Sequence, residues 1–162
     1  MTAPAVRLAP AALADKPALW EMMARYLVEH ARKVDPASVQ GPPEYAYFDS
    51  YWIEPERRPY WIEADGARAG FVLVNAWSPS GLGTERSIAE FCVDPPWRRR
   101  GFGLAAALAA FRAHPGQWEL RVYRLNGEGM AFWPRAIQAA GATRWQVIER
   151  EDVVIHRFVV TP

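Results

Sequence analysis

The chain has 162 residues, 51% of them hydrophobic and 23% charged, a balance typical of one globular domain spanning residues 1–162. The formal net charge is +1, so no overall field favours nucleic acid or a membrane surface as partner. The single cysteine, Cys92, excludes an internal disulfide, and there is neither a leader-like start nor a long apolar run. We therefore expect a cytoplasmic protein, and because the histidines lack metal-ligand spacing we expect no metal.

The N-terminal residues predict a strand and then a helix. Residues 5–9 form a short apolar strand candidate. Residues 10–30 carry apolar side chains at three- and four-residue spacing, which is typical of a helix. Pro17 fits only the first turn of that helix and therefore marks its start.

Residues 33–60 combine many prolines with a dense group of aromatic side chains. The prolines exclude a long helix, although a short helix is expected at 48–53. Long loops inside compact domains are often functional. Two interpretations stay open: a substrate-facing lid or dimer contact that includes Tyr47 and Tyr51, or a loop whose aromatics close the edge of the core.

Two strands are predicted at 60–64 and 67–76, joined by an Asp-Gly dipeptide that is typical of a hairpin. A glycine-containing loop follows. Residues 88–93 then form a short apolar run, which predicts a buried strand. Glu90 is the only charged side chain in that run.

The segment after this strand combines positive charge with glycine and then begins a helix. Residues 94–96 end the strand with two prolines, arginines occupy 98–100, and Gly101 and Gly103 precede an alanine- and leucine-rich stretch. The first N–H groups of a helix lack intrahelical partners and carry the positive end of its dipole. Glycine allows a ligand close to the backbone, and arginine adds forked donors. The sequence therefore predicts a seat for a pyrophosphate at this turn.

Two other interpretations of this turn compete with the pyrophosphate seat. Residues 100–103 resemble the opening of an RNA-recognition strand motif, but the residues that follow favour a helix where that motif needs a strand. The second alternative is an ordinary strand-to-helix connection with solvated arginines.

The remaining pattern completes a mixed α/β fold. Pro134 lies in the helix predicted at 130–140, where a proline is tolerated only in the first turn. In chain order the pattern predicts a strand, a helix and two antiparallel strands at 118–125, 130–140, 144–149 and 153–160. The expected architecture is a mixed, mostly antiparallel sheet of six to seven strands flanked by about four helices.

Two motifs resemble the GCN5-related N-acetyltransferases (the GNAT family). Residues 98–103 match that family's pattern Q/R-x-x-G-x-G/A, and residues 90–95 resemble its fourth strand. Residues 126–133 resemble a second family motif, in which Asn126 and Phe132 match. Gly129 replaces the alanine of that motif, and Trp133 replaces a tyrosine that many members use as general acid.

The resemblance implies a GNAT fold that uses acetyl-CoA as co-substrate and no metal. It also implies that the first helix forms one wall of the acceptor groove, where Tyr26 and His30 are expected; the alternative for these two is a packed tyrosine and a solvated histidine. From the aromatic loop, Tyr47 and Tyr51 join the expected substrate-binding residues. The residues expected to bind the cofactor come from the strand, the turn and the two following helices: Phe91, Cys92, Val93, Arg98, Arg99, Arg100, Gly101, Phe102, Gly103, Leu104, Asn126, Phe132 and Trp133.

Acetyl transfer to an amine requires a base, stabilisation of the thioester oxygen, and a leaving thiolate. Glu90 is the expected base, acting through a water, because burial raises the pKa of a carboxyl toward a useful range. The alternative is a structural hydrogen bond to a neighbouring element. Backbone N–H groups near Cys92 and Val93 are expected to stabilise the oxyanion, and Tyr123 is the candidate acid. Cys92 itself is expected to be a buried hydrophobe, because no histidine is placed to activate it.

The predicted function is transfer of an acetyl group from acetyl-CoA to a primary amine of a small molecule or peptide, by direct attack in a ternary complex. The alternative is a non-catalytic acyl-CoA-binding or interaction module on the same fold, suggested by Trp133 and the aromatic loop. The family resemblance makes a homodimer an expectation, whereas nucleic-acid and membrane partners are not expected.

Overall fold

The computed structural model describes residues 4–162, which form a seven-stranded mixed sheet with three α-helices. The strands are β1 (Val6–Pro10), β2 (Arg58–Ala64), β3 (Ala67–Asn75), β4 (Arg86–Val93), β5 (Gly116–Tyr123), β6 (Thr143–Glu149) and β7 (Val153–Val160). The helices are α1 (Lys16–Val34), α2 (Phe102–Ala113) and α3 (Gly127–Ala139). The strand order is β1-β2-β3-β4-β5-β7-β6, and only β4 and β5 pair in parallel. No helix within 4–162 has the length and apolar character needed to cross a bilayer.

The predicted fold class is confirmed, with two differences in the helices. The segment predicted as a short helix at 48–53 forms a single 3-10 turn, Asp49–Trp52, so residues 4–162 contain three α-helices rather than about four. The prediction that Pro134 lies in a first turn is wrong. The Asn126 side chain accepts a hydrogen bond from the Gly129 N–H at 3.1 Å and caps α3, so the helix begins at Gly127 and Pro134 lies in its interior.

The helices cover opposite faces of the sheet. α2 and α3 pack on one face, over a core that includes the fully buried Trp118 and Phe158. α1 packs on the other face, where Leu19 and Met23 are fully buried against a second cluster on β2, β3 and β4. Pro17 occupies the first turn of α1, as the sequence predicts.

A bulge in β4 opens the sheet between the two parallel strands. On its β3 side, Ile88 pairs with Val74 and Glu90 pairs with Leu73, which leaves Ala89 without a partner. A bulge bends its strand and increases the local twist. On the β5 side, β4 is paired only from Arg86 to Ile88. The second half of β4 therefore diverges from β5, and a cleft opens between them at their carboxyl ends.

A buried carboxylate fixes the loop between β3 and β4. Glu119 on β5 is fully buried and accepts hydrogen bonds from the Ser78 hydroxyl at 3.0 Å and from the Ser80 hydroxyl at 2.9 Å. It also forms an ion pair with Arg157 on β7. This network holds the loop against the face of the sheet that carries α1, and so positions Trp77 beside the cleft.

Candidate active site

The turn between β4 and α2 leaves a run of backbone N–H groups without protein acceptors. The Ala105 N–H donates to the Gly101 carbonyl at 3.2 Å, whereas for residues 99–104 no backbone acceptor is present within the described part of the chain, 4–162. Gly101 has φ +82°, in the left-handed region that favours glycine, and begins the helix without a side-chain cap. Such unpaired amides at a helix N-terminus form a site for an anion.

Two exposed arginines add positive charge at this turn. Arg99 and Arg100 form no ion pair with any residue in 4–162. The Arg100 guanidinium lies 5.4 Å from the ring centre of Trp97 and 5.2 Å from that of Phe102. The two cations are therefore free to bind an anionic group beside the amides.

Arg98, the arginine of the sequence motif, is engaged by the protein itself. Its Nε donates to the Val93 carbonyl at 2.7 Å, and its Nη1 and Nη2 donate to the Glu29 carboxylate at 2.7 and 3.2 Å. These hydrogen bonds hold the pKa of Glu29 below its usual value. Arg98 thus ties the turn both to the end of β4 and to α1.

Aromatic rings line the side of the cleft formed by α3. The ring centres of Phe91 and Trp133 lie 5.0 Å apart, and those of Phe132 and Trp133 lie 4.8 Å apart. Trp133 is buried, so the position where many GNAT members carry a tyrosine presents packed indole rather than a hydroxyl. Phe132 also faces the turn, since a Cβ on Gly103 would lie 3.4 Å from its Cε2.

Glu90 lies directly after the β4 bulge, on the face of the sheet that α1 covers. The Tyr26 hydroxyl on α1 donates a hydrogen bond to Glu90 Oε2 at 2.6 Å. Burial raises the pKa of the Glu90 carboxyl to about 7, while the Tyr26 hydrogen bond and the charge of Arg121 oppose a further rise. Burial and the neighbouring carboxyl raise the pKa of Tyr26, so its hydroxyl stays protonated and remains a donor. A carboxyl with this pKa is suited to proton transfer near neutral pH.

A row of aromatic rings crosses the cleft from Glu90 to Tyr123. Tyr26 and His30 stack with their ring centres 5.7 Å apart, as their four-residue spacing on a helix allows, and His30 meets Tyr123 at 5.5 Å. Burial, followed by the nearby cations Lys33 and Arg121, lowers the pKa of His30, so the imidazole is neutral at pH 7. The two predicted catalytic side chains thus lie at opposite ends of this row.

Two further side chains near Glu90, Arg121 and Tyr45, were not predicted from the sequence. Arg121 on β5 lies with its guanidinium 5.3 Å from the ring centres of both Trp77 and Tyr123. Tyr45 lies near enough to Glu90 for its hydroxyl to add a small contribution that lowers the pKa of that carboxyl. The signal for Arg121 was present in the sequence, since alternate residues of a strand share a face and residue 121 lies two before Tyr123.

Among the described residues, neither of the other two predicted substrate-binding tyrosines hydrogen-bonds to the Glu90 carboxyl. Tyr51 is buried at 2% exposure, and its hydroxyl accepts a hydrogen bond from Asn75 Nδ2 at 3.3 Å. Tyr47 is 59% exposed, and the Arg57 guanidinium lies 5.0 Å from its ring centre. The aromatic loop therefore contributes Tyr45 to the site, while Tyr51 closes the core.

Cys92 is buried on the α1 face, and burial raises the pKa of its thiol to about 12. The thiol therefore stays protonated at neutral pH, unlike a nucleophilic cysteine. Within residues 4–162, no group of three or more His, Cys, Asp or Glu side chains is arranged to hold a metal ion. Two open depressions of about 440 and 490 Å³ lie along α1; Tyr45 lines the first, but neither is lined by Glu90 or by residues 98–104.

Solved structures share this architecture over nearly the whole chain. An acetyltransferase from Thermus thermophilus superposes with a TM-score of 0.67 at 18% identity, over 97% of this chain and 98% of that one. The ribosomal-protein-S18-alanine N-acetyltransferase from Escherichia coli gives 0.58 at 16% identity, over 98% and 96%. A Bacillus subtilis acetyltransferase in complex with CoA gives 0.57 at 14% identity, over 98% and 99%. The fold is thus that of the acetyltransferase class.

The sequence itself identifies the family. The model of the Acetyltransferase (GNAT) family matches residues 20–135, and the chain belongs to this family. Among curated proteins no relative matches the sequence. The resemblance predicted from the motifs at 90–103 and 126–133 is therefore confirmed.

Proposed function

We propose that this protein is an N-acetyltransferase that moves the acetyl group of acetyl-CoA directly to a primary amine of a small molecule or peptide, within a ternary complex. The observation that carries the proposal is the cleft between β4 and β5. Unpaired amides of the 99–104 turn lie at one end of it, and Glu90, with its raised pKa, lies inside it.

The turn supplies what a pyrophosphate needs. The amides of residues 99–104 would donate to its oxygens, with Arg99 and Arg100 supplying the charge. Arg98 would act by holding the turn in place through Glu29. The rest of the cofactor would run along the second half of β4, whose β5 side has no ladder partner after Ile88.

Several of the expected cofactor residues would line that path. Phe102, Gly103 and Leu104 form the first turn of α2. Phe91, Phe132 and Trp133 form the aromatic wall, and Asn126 fixes the start of α3 by capping it. Acetyl-CoA itself would supply an activated thioester.

The protein's side chains then account for proton transfer. Glu90 is about half ionised near pH 7, so it can accept the proton of the attacking amine directly or through a water. The backbone N–H groups around Cys92 and Val93, beyond the part of β4 that pairs with β5, would stabilise the thioester oxygen as charge builds. Tyr123, at the other end of the aromatic row, would protonate the leaving thiolate. Because a free thiol has a pKa of about 8.5, this acid helps without being essential.

The test is a thiol-release assay over a panel of amines, amino acids and peptides. At pH 7 we expect Glu90→Gln to lower kcat/KM by about 10²- to 10⁴-fold, the usual contribution of a general base, with the Kd for CoA unchanged. Glu56→Gln, at an exposed acid away from the cleft, is the matched control and should be neutral. If Glu90→Gln matches wild type across pH, the base assignment is wrong.

Trp133 supports one alternative, a CoA-binding module without turnover. Its buried indole leaves no hydroxyl at the position where many GNAT members keep their acid. Tight CoA binding together with no thiol release for any acceptor would favour this alternative. Enzyme-like turnover with any acceptor would exclude it.

A further inference from the structure

Arg121 is an exposed cation at the mouth of the cleft that the protein leaves unpaired. Within residues 4–162 it takes part in no ion pair. Its guanidinium is positioned instead by aromatic rings, with the centres of Trp77 and Tyr123 each 5.3 Å away. Contacts with two rings hold a guanidinium in place while its N–H groups stay free to donate.

The two strands place Arg121 opposite the proposed base. Leu120 is the last β5 residue paired with β4, through Ile88, so Arg121 is the first residue of β5 beyond the point where the strands part. It shares a face with Glu119 and Tyr123, because alternate residues of a strand point to the same side. Arg121 is near enough to Glu90 for its charge to lower the pKa of that carboxyl.

The surrounding charges leave Arg121 as the free cation of this part of the cleft, within the described residues 4–162. His30 is neutral, since burial lowers its pKa. Lys33 pairs with Glu29 at 3.7 Å and with Glu128 at 3.5 Å. Glu119, the other carboxylate on this face of β5, is fully buried and already bound by Arg157 and two serines.

We propose that Arg121 is the binding site for a carboxylate on the acceptor, so that the acceptor is a primary amine with a carboxylate a few bonds away, as in an amino acid. The amine would lie at Glu90 and the carboxylate at Arg121, across the parting of β4 and β5. A guanidinium binds a carboxylate through two parallel N–H donors, which also fixes its orientation. The rings of Trp77, His30 and Tyr123 would contact the apolar part of such a molecule.

This inference rests on the proposed function, because it assigns the acceptor of that same site, but it is testable by binding alone. The probes are acetylated products of the proposed reaction. N-acetylphenylalanine and N-acetylleucine are each compared with the matched N-acetylamine that lacks the carboxylate. Their affinities are measured by calorimetry with CoA present. An Asp-initiated and an Ala-initiated N-acetyl peptide amide distinguish a free amino acid from an acidic side chain as the source of the carboxylate.

We expect wild-type protein to bind the carboxylate member of each pair about tenfold or more tightly, and Arg121→Gln to weaken only that member, by about 10- to 100-fold. Arg112→Gln, an exposed arginine in the last turn of α2, is the control and should change neither. Equal binding within every pair, or no binding by any probe, would overturn the inference. Equal weakening of both members would also overturn it, and would assign Arg121 to positioning of Glu90.

Turnover separates this inference from the proposed function. Selective binding that depends on Arg121, without thiol release from any acceptor, would leave the carboxylate site standing and reject the transferase. Rapid turnover of amines that lack a carboxylate, with no preference for acceptors that carry one and no effect of Arg121→Gln, would support the transferase and reject the carboxylate site.

Discussion

Removing one hydroxyl from α1 should shift the pH dependence of the proposed reaction. Tyr26 donates its hydrogen bond to Glu90 Oε2 at 2.6 Å, and this bond stabilises the ionised form of the carboxyl. Tyr26→Phe removes the donor but keeps the ring that packs edge-on against Phe71 and stacks on His30. The substitution therefore changes the proton affinity of Glu90 with little change in packing.

The size of the shift follows from the strength of the bond. A hydrogen bond to a charged group contributes about 1.5–3 kcal/mol, and one pKa unit corresponds to about 1.4 kcal/mol. The pKa of Glu90 should therefore rise from about 7 by about one to two units. At pH 7 the ionised fraction of Glu90 would fall from about one half to about one tenth or less, so kcat/KM should fall about fivefold or more.

The assay is the pH profile of kcat/KM between pH 5.5 and about 10, read by thiol release with one proven acceptor. The deficit of Tyr26→Phe should narrow as the pH rises through the new pKa. The control is Tyr60→Phe, which removes another buried hydroxyl, bound to His114 at 2.7 Å on the far side of the sheet. A loss of activity that is the same at every pH would refute the role in tuning Glu90, as would a profile shifted toward acid.

Three further predictions concern the buried polar groups. Because folding raises the pKa of Glu90 from 4.5 to about 7, the free energy of unfolding should fall by up to about 3 kcal/mol as pH rises through that range. Glu90→Gln should remove this decrease. In urea unfolding the variant should therefore be more stable than wild type at pH 8 but not at pH 4. Glu119→Ala should lower the free energy of unfolding in urea by about 3–5 kcal/mol, because it leaves Arg157 unpaired beside a cavity. A decrease of less than about 1 kcal/mol would contradict the role of Glu119 in holding this loop. Since burial raises the pKa of Cys92 to about 12, a thiol reagent at pH 8 should label the native protein no faster than it unfolds; rapid labelling of folded protein would show an accessible thiolate.

Local signals allowed much of the framework to be predicted. The turn at 98–103 is specified by residues within one short stretch, because a left-handed position needs glycine and a helix start needs good helix formers. The hairpin at Asp65 and Gly66 is local in the same way. The sequence predicts this helix only from residue 130, and the hydrogen bond that Asn126 accepts from the Gly129 N–H shows that α3 begins earlier, at Gly127.

The arrangement around Glu90 could not be predicted in this way. The hydrogen bond from Tyr26 joins residues 64 positions apart, and helical periodicity does not determine which strand a helix face covers. An alanine at position 89 does not predict a bulge, because a small residue fits a regular strand as well as it fits a bulge. The availability of Arg121 depends on its having no ion-pair partner among residues 4–162, which becomes visible only when the neighbouring carboxylates have been placed.

The unpaired Ala89 separates the shape of β4 from its chemistry. If that one residue were deleted, Ile88 and Glu90 would still face Val74 and Leu73, so every later side chain would keep its orientation. The strand would lose its bend, however, and β4 would be free to pair with β5 over more of its length. Such a shortened protein would keep all of its functional groups, but β4 and β5 would pair continuously and leave no cleft for an acyl chain. Access for the thioester is therefore set by how many residues this strand contains, and substitution analysis alone would overlook it.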